Sequence, residues 1–80
     1  MDNDILELKD LSVAAYLYST NQVRFIGKRR IQSGEVFFQF TPKEIANSLI
    51  KRYWNSEAPP IQPKQLFNAV RDLKDIIYGS

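Results

Sequence analysis

The side chains that could recognise a ligand are mostly cations, and four of them lie within seven positions. They are Arg24, Lys28, Arg29 and Arg30, and no acidic residue lies between Asp10 and Glu35 to neutralise them. Basic hairpins of this kind can lie along phosphate groups, which predicts nucleic-acid binding as one alternative. The other interpretation is structural, because basic side chains also keep a sheet face hydrated and prevent an edge strand from pairing with another chain.

Phe37 has the same strand parity as Glu35 and Gln39, which places it on the polar face of the predicted sheet with Ile26. There it could stack on a nucleic-acid base and belong to the same nucleic-acid site as the four cations. Alternatively, Phe37 packs under a helix, or forms with Ile26 an apolar strip through which two copies of the chain dimerise.

A second group of cations and aromatic residues ends the second predicted helix, with Lys51 and Arg52 followed by Tyr53 and Trp54. The two cations complement the negative end of the helix dipole, which is a sufficient structural reason for them. A large side chain such as Trp54 is expected at the edge of the core, where its indole N–H can find a partner.

The sequence contains few residues of the types that catalysis and metal binding require. The 80 residues contain no His and no Cys, so the commonest general base and the commonest metal ligands are missing. Asp72 and Asp75 are spaced as a carboxylate pair, but no neighbouring residues complete an oxygen shell. We therefore expect a protein that is not an enzyme, with no cofactor and no metal site.

Composition and charge bound the cellular setting. The chain has 44% hydrophobic residues and a net charge of +2, which fits one folded domain. Its N-terminal stretch is acidic, unlike a signal peptide, and no apolar run is long enough to cross a membrane. A cytoplasmic location without membrane association is the expectation.

The sheet is predicted from two β-rich runs, at residues 22–31 and 35–40, joined by a turn in which Gly34 takes positive φ. Alternation predicts that six side chains face the core, namely Val23, Phe25, Ile31, Val36, Phe38 and Phe40. The same alternation turns Arg24, Lys28 and Arg30 the other way. Gly27 is a candidate position for a bulge, which would also correct the position of Arg29.

Three helices are expected around this hairpin. Asp10 is the predicted N-cap of the first helix, whose stripe is Leu11, Ala14, Ala15 and Tyr18. Thr41, Pro42 and Glu44 have the pattern of a capping box, with Thr41 as N-cap of the second helix. Its apolar rows are Ile45, Leu49 and Tyr53 beside Ala46, Ile50 and Trp54.

The third predicted helix begins at Pro63 and ends at Gly79. Its apolar residues are Leu66, Ala69, Val70, Leu73, Ile76 and Ile77. The predicted class is therefore α+β, a short helix and an antiparallel hairpin followed by two amphipathic helices packed on the sheet. Residues 1–9 form either a flexible N-terminus or a third edge strand, and residues 10–80 form the single domain.

Four stretches of the chain carry a resemblance to a known family. They are residues 10–17 (DLSVAAYL), 36–40 (VFFQF), 53–55 (YWN) and 66–74 (LFNAVRDLK) with Ile77 and Tyr78. With them the chain resembles a small prokaryotic family of domains of unknown function, DUF5659. The resemblance implies the fold and carries no reaction or ligand. Asn21 departs from the Gly expected before the first strand.

The sequence leaves two functions from different classes open. One is a small protein-interaction or adaptor module that uses an apolar helix face to bind another protein or a second copy of itself. The other is an accessory nucleic-acid-binding protein that contacts phosphates through the basic hairpin. The two differ in salt dependence, since phosphate binding weakens steeply with salt and an apolar interface does not.

Overall fold

The computed structural model describes residues 4–57 and 60–78, which form three strands and three helices. The elements are β1 (Leu6–Leu8), α1 (Leu11–Thr20), β2 (Arg24–Arg30), β3 (Val36–Thr41), α2 (Lys43–Trp54) and α3 (Pro63–Tyr78). The strands form one antiparallel sheet in the order β1-β3-β2. The predicted α+β class is confirmed, and the N-terminal segment supplies the edge strand.

The central strand β3 alternates between a buried and a partly exposed face. Val36, Phe38 and Phe40 are buried, and the residues between them are half-buried. All three helices contribute to the core that covers Phe38 and Phe40. Because these residues share one face of β3, the helices lie on that face, and none of the described helices covers the opposite face of the sheet.

The buried surface of helix α1 is wider than the apolar stripe that the sequence predicted. All residues from Val13 to Leu17 are buried, because α1 packs against both other helices as well as the sheet. The predicted N-cap is confirmed, since the Asp10 carboxylate accepts hydrogen bonds from the N–H groups of Ser12 and Val13. Asn21 ends the helix in the left-handed conformation, with φ of 61°.

Small side chains lie where the helices meet. Ala14 and Ala15 of α1, Ala46 of α2 and Ala69 of α3 are each almost completely buried, and they belong to one hydrophobic core. Alanine allows close approach of helix backbones, so the larger buried side chains can fill the layer between helices and sheet. The predicted apolar face of α3 is confirmed, since all six of its residues belong to this core or pack against it.

The predicted orientation of β2 is wrong beyond its first residues. A bulge between Phe25 and Gly27 shifts the register, so that Lys28 lies opposite Phe38 and Arg30 opposite Val36. Both cations therefore lie on the helix side of the sheet. The same bulge places Arg29 opposite Phe37 on the helix-free side, as the sequence predicted for Arg29 if a bulge occurs.

Ile31 is also displaced from the predicted core set. It follows the last residue of β2 and lies in the turn, where its carbonyl accepts a hydrogen bond from the N–H of Gly34. Gly34 has a φ of 95°, which confirms the turn prediction. The other five residues of the set are buried or pack against the core.

The predicted capping box at the start of α2 is wrong. Thr41 is the last residue of β3, and the N-cap position is Pro42, which makes no side-chain capping bond. The cap comes from Asp4 instead, whose carboxylate and backbone carbonyl both accept from the N–H of Lys43, at 3.1 and 2.9 Å. The Thr41 hydroxyl donates to the same two groups of Asp4. The proposed helix end at Gly79 lies outside the described residues.

Candidate functional site

The cations of the basic hairpin lie on two different faces of the sheet. Lys28 Nζ donates to the backbone carbonyl of Ile76 at 2.6 Å, and Arg30 Nη2 donates to that of Ile77 at 2.8 Å. Both carbonyls belong to the last turn of α3, where a helix leaves acceptors unpaired and its dipole is negative. Lys28 and Arg30 therefore cap a helix.

Arg29 is engaged on the helix-free face. Its Nε and Nη2 atoms each donate to the Glu7 carboxylate at 2.9 Å, and the amide of Gln39 donates to the same carboxylate at 2.7 Å. The hydrogen bond from Arg29, followed by that from Gln39, holds the pKa of Glu7 below its ordinary value of 4.5. A bidentate interaction of this kind between an Arg and a carboxylate fixes the plane of the guanidinium on the sheet.

Phe37 lies beneath that guanidinium, whose central carbon is 5.1 Å from the centre of the ring. The predicted polar-face position of Phe37 is confirmed. The alternative that Phe37 packs under a helix is wrong, because the helices cover the other face. Phe37 is half-buried by its sheet neighbours, while Ile26 in the bulge is exposed.

Arg24 completes the predicted set at the opposite end of β2, where it lies across from Thr41 and is exposed. The four cations are thus divided among a helix cap, an ion pair with Glu7 and a separate end of the strand. The structure brings Arg29 and Phe37 together. It does not bring the whole set into one surface.

The largest exposed aromatic side chains lie on the helices. Trp54 is 65% exposed and Phe67 is 71% exposed, so the expected place of Trp54 at the core edge is wrong. The contact face of α2 runs through Ala46, Leu49 and Tyr53. Trp54 follows it at the end of the helix and rests edge-on against the Tyr53 ring, with centroids 5.2 Å apart.

Next to this pair, the three helices line a partly open cavity of about 210 Å³. It is lined by Ser12 and Tyr16 of α1, Tyr53 of α2, and Leu66 and Val70 of α3. Trp54 and Phe67 each adjoin a residue of the wall along the chain. We call Tyr53, Trp54 and Phe67 the aromatic surface, a name that groups them by the Tyr53–Trp54 ring contact and by the position of Phe67 next to the lining residue Leu66 in the sequence.

Tyr16, one of the lining residues, carries a buried polar group. The side chain is buried, and its hydroxyl has no hydrogen-bond partner among the residues that the structure describes. Burial raises the pKa of Tyr16 above its ordinary value, against an opposing effect of the Arg52 charge. The hydroxyl therefore stays protonated at neutral pH and can act as a donor.

Sequence reasoning missed Tyr16 and Phe67 as members of a site. Tyr16 falls outside the predicted stripe of α1, and that stripe was too narrow because α1 is apolar on nearly all sides. Phe67 could have been found, since it is a large aromatic residue that does not belong to the 3.6-residue apolar pattern of α3. Such a residue indicates a binding surface only together with neighbouring exposed apolar residues.

Other classes of site receive no support from the described part of the chain. Residues 4–57 and 60–78 contain no group of three or more carboxylate, imidazole or thiol side chains that could hold a metal ion. Within the same ranges, no helix has the length and apolar character needed to cross a membrane.

Comparison with known proteins gives no relative to which this site could be compared. The chain matches no protein-family profile, no curated protein and no solved structure. The resemblance to DUF5659 stays a prediction, and the function has to be argued from the geometry.

Proposed function

We propose that this protein is a small non-enzymatic adaptor module that binds another protein through the aromatic surface. The observation that carries the proposal is the exposure of Trp54, held edge-on by Tyr53 beside an apolar cavity. Trp and Tyr are the residues most enriched at the energetic centres of protein interfaces, where a partner excludes water from them. The cysteine-free composition favours a cytoplasmic setting.

The charged residues that lie near the aromatic surface in the sequence fit the rim of such an interface. Residues 51–71 carry four cations, Lys51, Arg52, Lys64 and Arg71, and one acid, Glu57, which gives a local net charge of +3. Rim charges mainly steer association and choose between partners. We infer a partner that presents an apolar or aromatic side chain with acidic residues around it.

Nucleic-acid binding by the hairpin is the second candidate, and the geometry gives it less support. Three of its four cations already form hydrogen bonds with protein groups. Two of the three, Lys28 and Arg30, lie on the helix side of the sheet and not on its helix-free face. Phosphate contacts would have to replace the hydrogen bonds of Lys28 and Arg30 to α3. What favours this candidate is Arg29 over Phe37, a cation and an aromatic ring together on the open face.

Self-association through the helix-free face of the sheet is another candidate with less support than the aromatic surface. Of the two residues in the apolar strip that the sequence suggested, Phe37 is half-buried with the Arg29 guanidinium over its ring, and Ile26 is exposed in the bulge. Beside them, however, lie the Arg29–Glu7 and Lys9–Glu35 ion pairs. Charged groups are depleted from the centre of stable interfaces, so the aromatic surface is the better candidate.

The proposal is tested by site-specific photocross-linking followed by binding of the purified partner. A benzophenone amino acid at position 67 should capture a discrete protein in the source cells, and the same group at position 78 should not. Tyr78 is a suitable control because it is also on α3 and 80% exposed.

The captured protein must then bind in purified form. We expect Trp54→Ala to weaken the complex by about 30-fold or more, the effect of losing an interface hot spot, and Tyr78→Ala to change it by less than about threefold. Equal binding by the wild type and Trp54→Ala would reject the aromatic surface. A mobility shift with mixed-sequence DNA or RNA at low salt would favour the second candidate instead.

A further inference from the structure

The cavity between the three helices has walls that suit an aromatic ring. It is lined by the rings of Tyr16 and Tyr53, whose centroids are 5.3 Å apart, by the aliphatic side chains of Leu66 and Val70, and by Ser12. None of the described residues that line it is charged. Burying a charge there would carry a large desolvation penalty, so an occupant should be uncharged.

The volume inside the cavity is sufficient for about one ring. A dry apolar cavity of about 150 Å³ in a protein interior can hold benzene. The cavity here is about 210 Å³, which leaves room for a ring with one or two substituents. A drug-sized or nucleotide-sized ligand would need a larger pocket.

Tyr16 adds a chemical preference. Its hydroxyl is a buried donor with no partner among the described residues, and such a group costs free energy until an acceptor reaches it. The hydroxyl oxygen has no solvent-accessible surface, so a bond to a ligand requires one of the lining side chains to move aside. Tyr53, Leu66 and Val70 are each partly exposed, and Ser12 at the cavity mouth is exposed.

We infer that this cavity is a binding site for one uncharged aromatic ring that carries a hydrogen-bond acceptor, which bonds to the Tyr16 hydroxyl. The ring could belong to a small molecule or to a tyrosine side chain of a polypeptide. The inference does not depend on the proposed adaptor function, because it concerns ligand binding by the isolated protein without a partner.

The experiment compares two probes of nearly equal shape, p-cresol with the acceptor and toluene without it. Binding is followed by NMR from the methyl resonances of Leu66 and Val70 in the full chain. Saturable shifts are expected at about 0.1 to 10 mM probe, ordinary for ligands this small. Tyr16→Phe should weaken p-cresol about 2- to 10-fold and leave toluene unchanged.

Two further variants serve as controls. Tyr18→Phe makes the same chemical change on α1 at a residue that packs against Phe25 rather than lining the cavity, so both probes should bind it as they bind the wild type. Ser12→Phe places a ring at the mouth and should abolish saturable binding of both probes. Because Ser12 is exposed, this variant should fold.

The inference is overturned if neither probe shifts the Leu66 and Val70 methyl resonances saturably. It is also overturned if Tyr16→Phe affects both probes equally, or if Ser12→Phe leaves them bound. A parallel titration with N-acetyl-tyrosinamide separates the two sources. Binding comparable to that of p-cresol shows that the mouth admits a side chain attached to a backbone, and binding of p-cresol alone indicates a small molecule.

Discussion

Lys28 Nζ lies 2.6 Å from the backbone carbonyl of Ile76, a residue 48 positions later in the chain. A side chain that the sequence suggests for phosphate binding thus holds the end of α3 onto the sheet. Arg30 makes the equivalent bond to Ile77.

This pair of contacts predicts that Lys28 and Arg30 contribute to stability. Replacing both with Gln should lower the free energy of unfolding by about 0.5 to 2 kcal/mol, because α3 loses two cations at its negative end. Urea denaturation measures the change. Arg24→Gln is the matched control on the same strand and should stay within about 0.5 kcal/mol of the wild type. A double variant as stable as Arg24→Gln would show that the caps contribute nothing.

A prediction at the start of α2 distinguishes the Asp4 cap of the structure from the capping box that the local sequence pattern predicted. Asp4→Ala should cost about 1 kcal/mol, as loss of an N-cap does. Glu44→Ala, which would remove the reciprocal bond of a capping box, should change the free energy of unfolding by less than about 0.5 kcal/mol. The denaturation midpoints of the two variants show which residue caps the helix. A larger loss of stability for the Glu44 variant than for the Asp4 variant would support the capping box.

Thr41 should be energetically coupled to Asp4, because its hydroxyl donates to the Asp4 carboxylate at 3.0 Å. In a double-mutant cycle of Asp4→Ala and Thr41→Val, we expect the combined effect to be smaller than the sum by about 0.5 kcal/mol or more. Strict additivity would mean that the two side chains act independently.

The Glu7 cluster predicts a pH dependence of known sign. The folded-state pKa of Glu7 is lowered by the hydrogen bonds from Arg29 and Gln39. Its contribution to stability is therefore fully present above the unfolded-state pKa, and it is lost as the pH falls through the folded-state pKa. Solvent exposure and salt screening keep the contribution small.

Urea denaturation of the wild type and Glu7→Gln at a series of pH values checks this sign. The wild type should be the more stable protein at about pH 7, and the two curves should converge as the pH falls below 4.5, the ordinary pKa of the residue. Added salt should also narrow the difference. A difference that stays constant through the acid range would remove Glu7 as its source.

Tyr16→Phe is expected to stabilise the protein, which is unusual for a buried tyrosine. Its hydroxyl is buried without a partner among the described residues, so removing the oxygen removes a desolvation cost. We expect a gain of about 1 kcal/mol in the free energy of unfolding, with Tyr18→Phe as the control for the same chemical change. A loss of similar size instead would mean that the hydroxyl has a partner in solution.

The sequence was sufficient for features that depend on neighbouring residues. Asp10 caps α1 and Gly34 turns the hairpin through groups within three positions of them. The apolar spacing of α3 likewise needs no knowledge of the partner surface. These features were predicted correctly because local geometry alone determines them.

The errors all involve contacts that spacing within one element does not determine. The cap of α2 comes from Asp4, 39 positions before Lys43. The face of Lys28 depends on a bulge whose exact place the alternation pattern does not fix. Trp54 continues the apolar rows of α2 to the end of the helix, where it stays largely exposed, and spacing within one helix cannot show this.

The central claim is that the aromatic surface binds a protein, and emission from Trp54, the only tryptophan in the chain, tests it most directly. Titration with the purified cross-linked partner should move the emission to shorter wavelength as water is excluded from the indole. Affinity should weaken by less than about tenfold between about 50 and 200 mM salt, whereas four phosphate contacts would weaken it by about 150-fold. Saturable binding with unchanged Trp54 emission would contradict the claim.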